Sequence, residues 1–192
     1  MGVAMTVGVL ALQGAFREHE EMLHRMGVAT RQVRLPRDLA EVDRIILPGG
    51  ESTTIGKLLV MYDLLNPLRE RILAGMPAWG TCAGAILMSR RIVDGRPDQP
   101  ALQVMDIEAR RNAFGSQLDS FEADVAIKGL DRPFHTIFIR APILEKPGEQ
   151  CQVLASLPDG RIVAARQGTM LATSFHPELT DDSRIHELFL TF

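Results

Sequence analysis

The sequence predicts an α/β fold in three layers: a mostly parallel central sheet flanked by helices, with antiparallel strands appended. Three observations predict it. Short continuous apolar runs, such as Thr6 to Leu12 and Arg44 to Leu47, have the length and composition of strands buried on both faces, as in a parallel sheet. Amphipathic helical segments alternate with these runs through the first half of the chain. Beyond residue 120 the pattern changes to residue-by-residue alternation and a hairpin, the mark of antiparallel strands.

Taken in order, the first strand runs from Thr6 and is broken at Gln13-Gly14. Phe16 to Met26 carries apolar residues at Phe16, Met22, Leu23 and Met26 with charges between, and Gly27 stops this helix. A second strand spans Thr30 to Leu35 and ends at Pro36; a third, Arg44 to Leu47, closes on Pro48-Gly49-Gly50-Glu51. Ile55 to Leu65 is helical, with Ser52 or Thr53 as N-cap, and a further helix opens at Asn66-Pro67 and stops near Gly75. Met76 to Gly80 is the next strand. Phe121 to Ile127 and Phe134 to Arg140 read as strands, Cys151 to Ala155 and Ile162 to Ala165 as a hairpin around Pro158-Asp159-Gly160. Met170 to Ser174 is the last strand, and Asp182 caps a short terminal helix. Right-handed crossovers bring the carboxyl ends of parallel strands to one edge, so the Gly49-Gly50 loop and the turn after Gly80 meet there.

No linker or repeat divides the 192 residues, which read as one domain over 1–192. Hydrophobic content of 46 % and charged content of 23 % are ordinary for a globular protein, and a net charge of −3 gives no footprint for nucleic acid. No apolar run reaches the roughly 18 residues that span a membrane, and no secretory signal precedes the first strand. Met1 to Thr6 fits a loose N-myristoylation pattern, but Met5 reads as an alternative start just before a strand. Two cysteines, Cys82 and Cys151, make no disulfide framework, and the expected compartment is the cytoplasm. Cys151 reads as a strand residue without chemistry.

The stretch Trp79-Gly80-Thr81-Cys82-Ala83-Gly84 reads as strand, sharp turn and helix, a nucleophile elbow with sulfur in place of oxygen. A thiol at a helix N-terminus meets partial positive charge and unpaired N–H groups, which favour the thiolate. Gly80 and Gly84 are expected to supply tight dihedrals and close approach. A nucleophilic cysteine needs a base, and the base needs a carboxylate to hold its tautomer. His176 and Glu178, separated by the rigid Pro177, supply both in Phe175-His176-Pro177-Glu178. Singly, each has a plainer reading: His176 as a hydrogen-bonded strand-end residue, Glu178 as a helix cap, Cys82 as a small core hydrophobe. Their joint occurrence favours the site. Gly49-Gly50 is a turn or part of that site; no lysine follows in the spacing of a phosphate-binding loop. His19, His24, His135, His176 and His186 show no metal-binding spacing.

Gly80-Thr81-Cys82-Ala83-Gly84 with Phe175-His176-Pro177-Glu178 resembles the class I (triad) glutamine amidotransferases. Leu10 to Gly14, Leu47 to Thr54, Arg111 to Gly115, Asp119 to Ala123 and Phe138 to Pro142 narrow the resemblance to the glutaminase subunits of pyridoxal 5′-phosphate synthase. The resemblance implies Cys82 as nucleophile, His176 as general base and acid, and Glu178 as its orienter. It implies that Gly49, Gly50, Glu51, Arg111, Ile139 and Arg140 contact L-glutamine. Physical chemistry agrees in part: Arg111 or Arg140 suits a carboxylate through bidentate geometry, and Glu51 suits an ammonium. The N–H groups of Gly50 and Ala83 are the oxyanion-hole candidates, a donor there contributing about 3 kcal/mol. Neither thioester formation nor its hydrolysis needs a metal or organic cofactor. The implied partner is the ring-forming synthase subunit, in a large hetero-oligomer, with Gln13 and Gly14 as candidate contacts that gate an oxyanion donor on docking. The chain ends at Phe192 where members of that family often continue, which bears on C-terminal contacts and not on the site. A cysteine peptidase of related fold, or a non-catalytic module, is the alternative.

Overall fold

Strands and helices alternate along the first half, as the apolar runs dictate. The computed structural model describes residues 5–111 and 120–192. It gives β1 (Thr6–Leu10), α1 (Phe16–Arg25), β2 (Ala29–Val33), β3 (Arg44–Leu47), α2 (Ser52–Met61), α3 (Leu65–Leu73), β4 (Ala78–Thr81) and α4 (Ala83–Met88). There follow β5 (Ser89–Val93), β6 (Met105–Arg110), β7 (Ser120–Val125), β8 (Phe134–Ile139) and β9 (Ile143–Glu145). The chain closes with β10 (Gln152–Ser156), β11 (Ile162–Gln167), β12 (Met170–Thr173) and α5 (Arg184–Leu190). The myristoylation pattern falls partly on residues 1–4, and the Arg111 to Gly115 and Asp119 to Ala123 motifs partly on 112–119, outside the described residues.

Among the described residues ten strands form one sheet in the order β2-β1-β3-β4-β12-β11-β9-β6-β5, with β10 added on β11. From β2 to β12 every neighbour is parallel. From β12 through β11 and β9 to β6 the pairing is antiparallel, and β5 lies parallel to β6. The hairpin of β7 and β8 forms a separate two-stranded sheet.

Side chains alternate across a strand, so each buried strand feeds two cores. Leu10, Ile45, Leu47 and Ala78 join a cluster with Ile55 and Leu59 of α2 and Leu68 of α3. Their strand neighbours Val9, Ile46 and Trp79 join the other cluster with Leu23 of α1, Phe138 of β8 and Phe189 of α5. This is the three-layer arrangement that the apolar runs require.

Two caps differ from expectation. Glu51, not Ser52 or Thr53, caps α2: its carboxylate accepts from the N–H groups of Thr53 and Thr54 at 3.1 and 2.7 Å. Glutamate reaches the same donors as a shorter cap because residue 51 is extended. Ser183 is the residue preceding α5, and Asp182 stands one position outside, accepting the Arg184 N–H at 3.1 Å. No described helix is long and apolar enough to cross a membrane.

Candidate active site

The turn after β4 places Cys82 where the apolar run predicts. Its backbone takes φ 48° and ψ −103°, and its N–H donates to the Thr173 carbonyl at 2.8 Å. Thr81 pairs with Thr173 in the parallel ladder, so β4 and β12 end side by side. The two flanking glycines differ from expectation in their role: the positive φ falls on Cys82 itself, and neither glycine has one. They are needed for close approach. A Cβ on Gly80 would lie 2.6 Å from the Ala85 nitrogen, and one on Gly84 would run into the Leu47 carbonyl. Without side chains there, α4 rests directly on β3 and β4.

From β12 the chain continues to His176, whose N–H donates to the Ile137 carbonyl at 2.9 Å. Pro177 opens a single 3-10 turn, Pro177–Leu179, which bends Glu178 back under the imidazole. Glu178 Oε1 lies 2.7 Å from His176 Nδ1, and the Cys82 sulfur, near enough to influence the ring's protonation, lies 3.9 Å from the Ile139 carbonyl. All three residues are buried. Burial opposes charge on His176, but the nearby Cys82 sulfur and the hydrogen-bonded, charged Glu178 outweigh it, and its pKa is pushed up to about 10. The imidazole is therefore held as imidazolium at neutral pH.

Above these groups lies a cleft of about 390 Å³, in the size range of a small-molecule site. Gly49, Gly50, Glu51, Arg111, Ile139 and Arg140 all line it, as do Gln13 and Gly14. Glu51 is engaged within the protein: besides capping α2 it faces Arg111 Nη2 at 3.5 Å. Burial works to raise its pKa, and hydrogen bonds from Thr54 and Thr53 overcome this and lower it, so Glu51 stays ionised. Arg111 Nη1 also donates to Gln99 Oε1 at 3.0 Å. Arg140 stands at φ 43°, beside the Ile139 carbonyl that lies 3.9 Å from Cys82 Sγ. Ala83, the first residue of α4, presents its N–H at the cysteine corner, in a first turn that leaves such groups without helical partners. Gly49 lies so close to His176 and Cys82 that an added Cβ would sit 3.0 Å from His176 Nδ1 and 3.4 Å from Cys82 Cβ.

The cleft also takes Ala15, Ser52, Ile86 and Leu179, which sequence reasoning does not single out. Nor does it single out the buried cluster behind the site. His19 is fully buried, its Nδ1 3.0 Å from His186 Nε2 and its Nε2 3.3 Å from Thr81 Oγ1 and 3.5 Å from Glu178 Oε2. The signal was available: His19 stands three, four and seven positions before Met22, Leu23 and Met26, on the apolar stripe of α1.

Comparison with known proteins gives the family. The model of the SNO glutamine amidotransferase family matches residues 9–192. A relative from Roseiflexus sp. (strain RS-1), "Pyridoxal 5'-phosphate synthase subunit PdxT", is 67 % identical over 187 residues, covering 97 % of this chain and 99 % of that protein. A protein of the same name from Herpetosiphon aurantiacus is 65 % identical over 188 residues, with 97 % and 99 % covered. Among solved structures, one described as a glutamine amidotransferase superposes with a TM-score of 0.91 at 50 % identity, covering 96 % of this chain and 97 % of that one. With its family model reaching from β1 to the last residue, and its fold shared with a solved amidotransferase, this chain belongs to the SNO glutamine amidotransferase family.

Proposed function

We propose that this chain, acting as a single glutaminase domain, hydrolyses L-glutamine to L-glutamate and ammonia at Cys82 and passes the ammonia to a pyridoxal 5′-phosphate synthase subunit. The observation that carries the reading is that Cys82 and His176 line one amino-acid-sized cleft, with Glu178 hydrogen-bonded to His176 behind it. Family membership and the names of the relatives support the substrate and the pathway.

The Cys82 proton rests on His176, and the sulfur, as thiolate, attacks the side-chain amide carbon of glutamine. The oxyanion that forms is received by the N–H groups of Gly50 and Ala83. His176 returns the proton to the departing nitrogen, releasing ammonia and leaving a glutamyl thioester. Water, deprotonated by His176, then adds to the thioester carbon, and the C–S bond breaks to free glutamate and restore the thiolate beside the protonated ring. Glu178 holds the ring with Nδ1 toward itself and balances the imidazolium. Arg111 or Arg140 receives the glutamine carboxylate, Glu51 its ammonium, and Gly49 and Ile139 line the path to the sulfur.

The partner, expected as part of a large hetero-oligomer in the cytoplasm, docks on the segment Gln13-Gly14. This segment is coupled to the oxyanion loop: the Gly49 carbonyl accepts the Ala15 N–H at 2.9 Å, and Gln13 Oε1 accepts the Glu51 N–H at 2.8 Å. Pressure on exposed Gly14 therefore acts on the peptide that carries the Gly50 N–H. The test is a glutaminase assay with and without the synthase subunit. Wild type is expected to be stimulated and Cys82→Ala to fall to background; activity retained by Cys82→Ala overturns covalent catalysis, and equal rates with and without partner overturn the gating. An electrophilic glutamine analogue should alkylate Cys82 while peptides remain uncut.

A further inference from the structure

Glu178 uses one carboxylate oxygen on His176, and the other is buried without a hydrogen bond. A buried, unsatisfied carboxylate oxygen is destabilising, and in a catalytic carboxylate it leaves the orientation of the group undetermined. The polar atom facing it is His19 Nε2, at 3.5 Å. We propose that His19 is a positioning residue for the glutaminase reaction: its Nε2–H donates to Glu178 Oε2 as the catalytic hydrogen bonds tighten, and His186 sets the tautomer that makes this possible. The inference rests on the Cys82–His176–Glu178 reading.

The hydrogen-bond partners decide the tautomers. His19 Nδ1 and His186 Nε2 are 3.0 Å apart, so one carries the shared proton. If His19 carries it, His186 must hold its own proton on Nδ1, which is buried with no partner. His19 Nε2 would then turn a lone pair toward Glu178 Oε2, two acceptors facing each other. If His186 donates from Nε2, its orphan Nδ1 is merely an unprotonated acceptor, and His19 must carry its proton on Nε2, aimed at Glu178 Oε2 and Thr81 Oγ1. Only this arrangement leaves no buried N–H without an acceptor.

Both rings are held neutral. Burial lowers the pKa of His19, and the neighbouring His186 and His176 lower it further. Burial, with the charge of Arg25, pushes His186 down to about 3. The charged and titratable groups facing the pair are Glu178 of the 3-10 turn, His176 beyond it and Arg25 of α1; Trp79 of β4 packs edge-on against both rings, at 5.4 and 4.8 Å. A neutral donor here steadies the carboxylate without competing with the His176 imidazolium.

The test compares His19→Leu, which removes the donor, with His19→Gln, which keeps one at similar reach, in the full chain assayed with its synthase partner. His19→Leu is expected to lower kcat by about 10–100-fold with the glutamine KM little changed, the loss expected for one hydrogen bond to a charged group. The acid limb of its kcat/KM profile should move to higher pH, because a carboxylate deprived of a donor takes a proton more readily. His19→Gln should restore most of kcat and return the limb. Wild-type activity in His19→Leu, or a loss with an unmoved acid limb that His19→Gln does not rescue, overturns the proposal. Ring 15N shifts of the wild-type chain test it independently of any variant's folding: His19 and His186 should both be Nε2–H, and a His19 Nδ1–H tautomer overturns it. Glu178→Gln separates the two readings. If it is as active as wild type, the triad reading fails and takes this inference with it; if it is inactive while His19→Leu is fully active, this inference alone fails.

Discussion

At Cys82 a side chain with a Cβ occupies a left-handed φ of 48°, a conformation that stores on the order of 1–3 kcal/mol. The surrounding ladder imposes it: the Cys82 N–H is committed to Thr173 on one side, and α4 begins at the next residue. Stability and chemistry are therefore opposed at this position. Cys82→Gly removes the strain at the expense of a more flexible unfolded chain, and should be about 1 kcal/mol more stable than the equally inactive Cys82→Ala. Denaturant midpoints of the two variants check this; equal midpoints would show that the turn is unstrained. His176 shows the same opposition in another form. It is buried yet carries charge, and its partners Cys82 and Glu178 are what make that charge tolerable.

The elbow works as an element because α4 lies on bare backbone. Gly84→Ala should destabilise the protein by about 1–3 kcal/mol, the usual range for overpacking, since its Cβ would meet the rigid Leu47 carbonyl and no flexible side chain can yield. Thermal unfolding of Gly84→Ala against wild type measures it. The parallel strands and helices α1 to α4 were legible in kind from length and period, with stop residues at Gly27, φ 73°, and Gly75; the end of α2 was not, since the reading Ile55 to Leu65 runs through the break at Asp63, φ 53°, to the first residue of α3. Strands β5, β6 and β9 were not. Ser89-Arg-Arg-Ile-Val93 exposes both arginines, and β9 has only three residues, so neither shows a strand period strong enough to read; their pairing comes from distant partners. That Cys82, His176 and Glu178 come together was legible because turn chemistry and proline mark them. His19 and Thr81 carry no such mark: they gain their neighbours only when α1 packs behind β4. The capping role of Glu51 was hidden by the more usual candidates beside it.

Across the whole molecule the buried histidines shape the pH dependence of stability. His176, raised from 6.5 to about 10, keeps a proton that the unfolded chain releases, so its stabilisation is complete below pH 6.5 and is lost as pH rises toward 10. His186, lowered to about 3, and His19, also lowered, refuse protons that the unfolded chain binds, so stability falls as pH drops below 6.5. Stability should therefore peak near neutrality, declining on either side by about 1.4 kcal/mol per pH unit for each proton involved. Denaturant titrations at about pH 5, 7 and 9 check this, and a curve still rising at pH 9 would contradict the His176 assignment.

The pairing of Thr81 with Thr173 has one more consequence. Cys82 follows β4 and His176 leaves β12, neighbours in the central sheet, whereas of the residues proposed to receive the amino acid Arg111 follows β6 and Arg140 follows β8 of the separate hairpin. Reactivity and selectivity are thus inherited on separate parts of the architecture. Descendants of this chain are free to remodel which molecule they admit by altering loops alone, while the bond-breaking apparatus passes on unaltered with the scaffold.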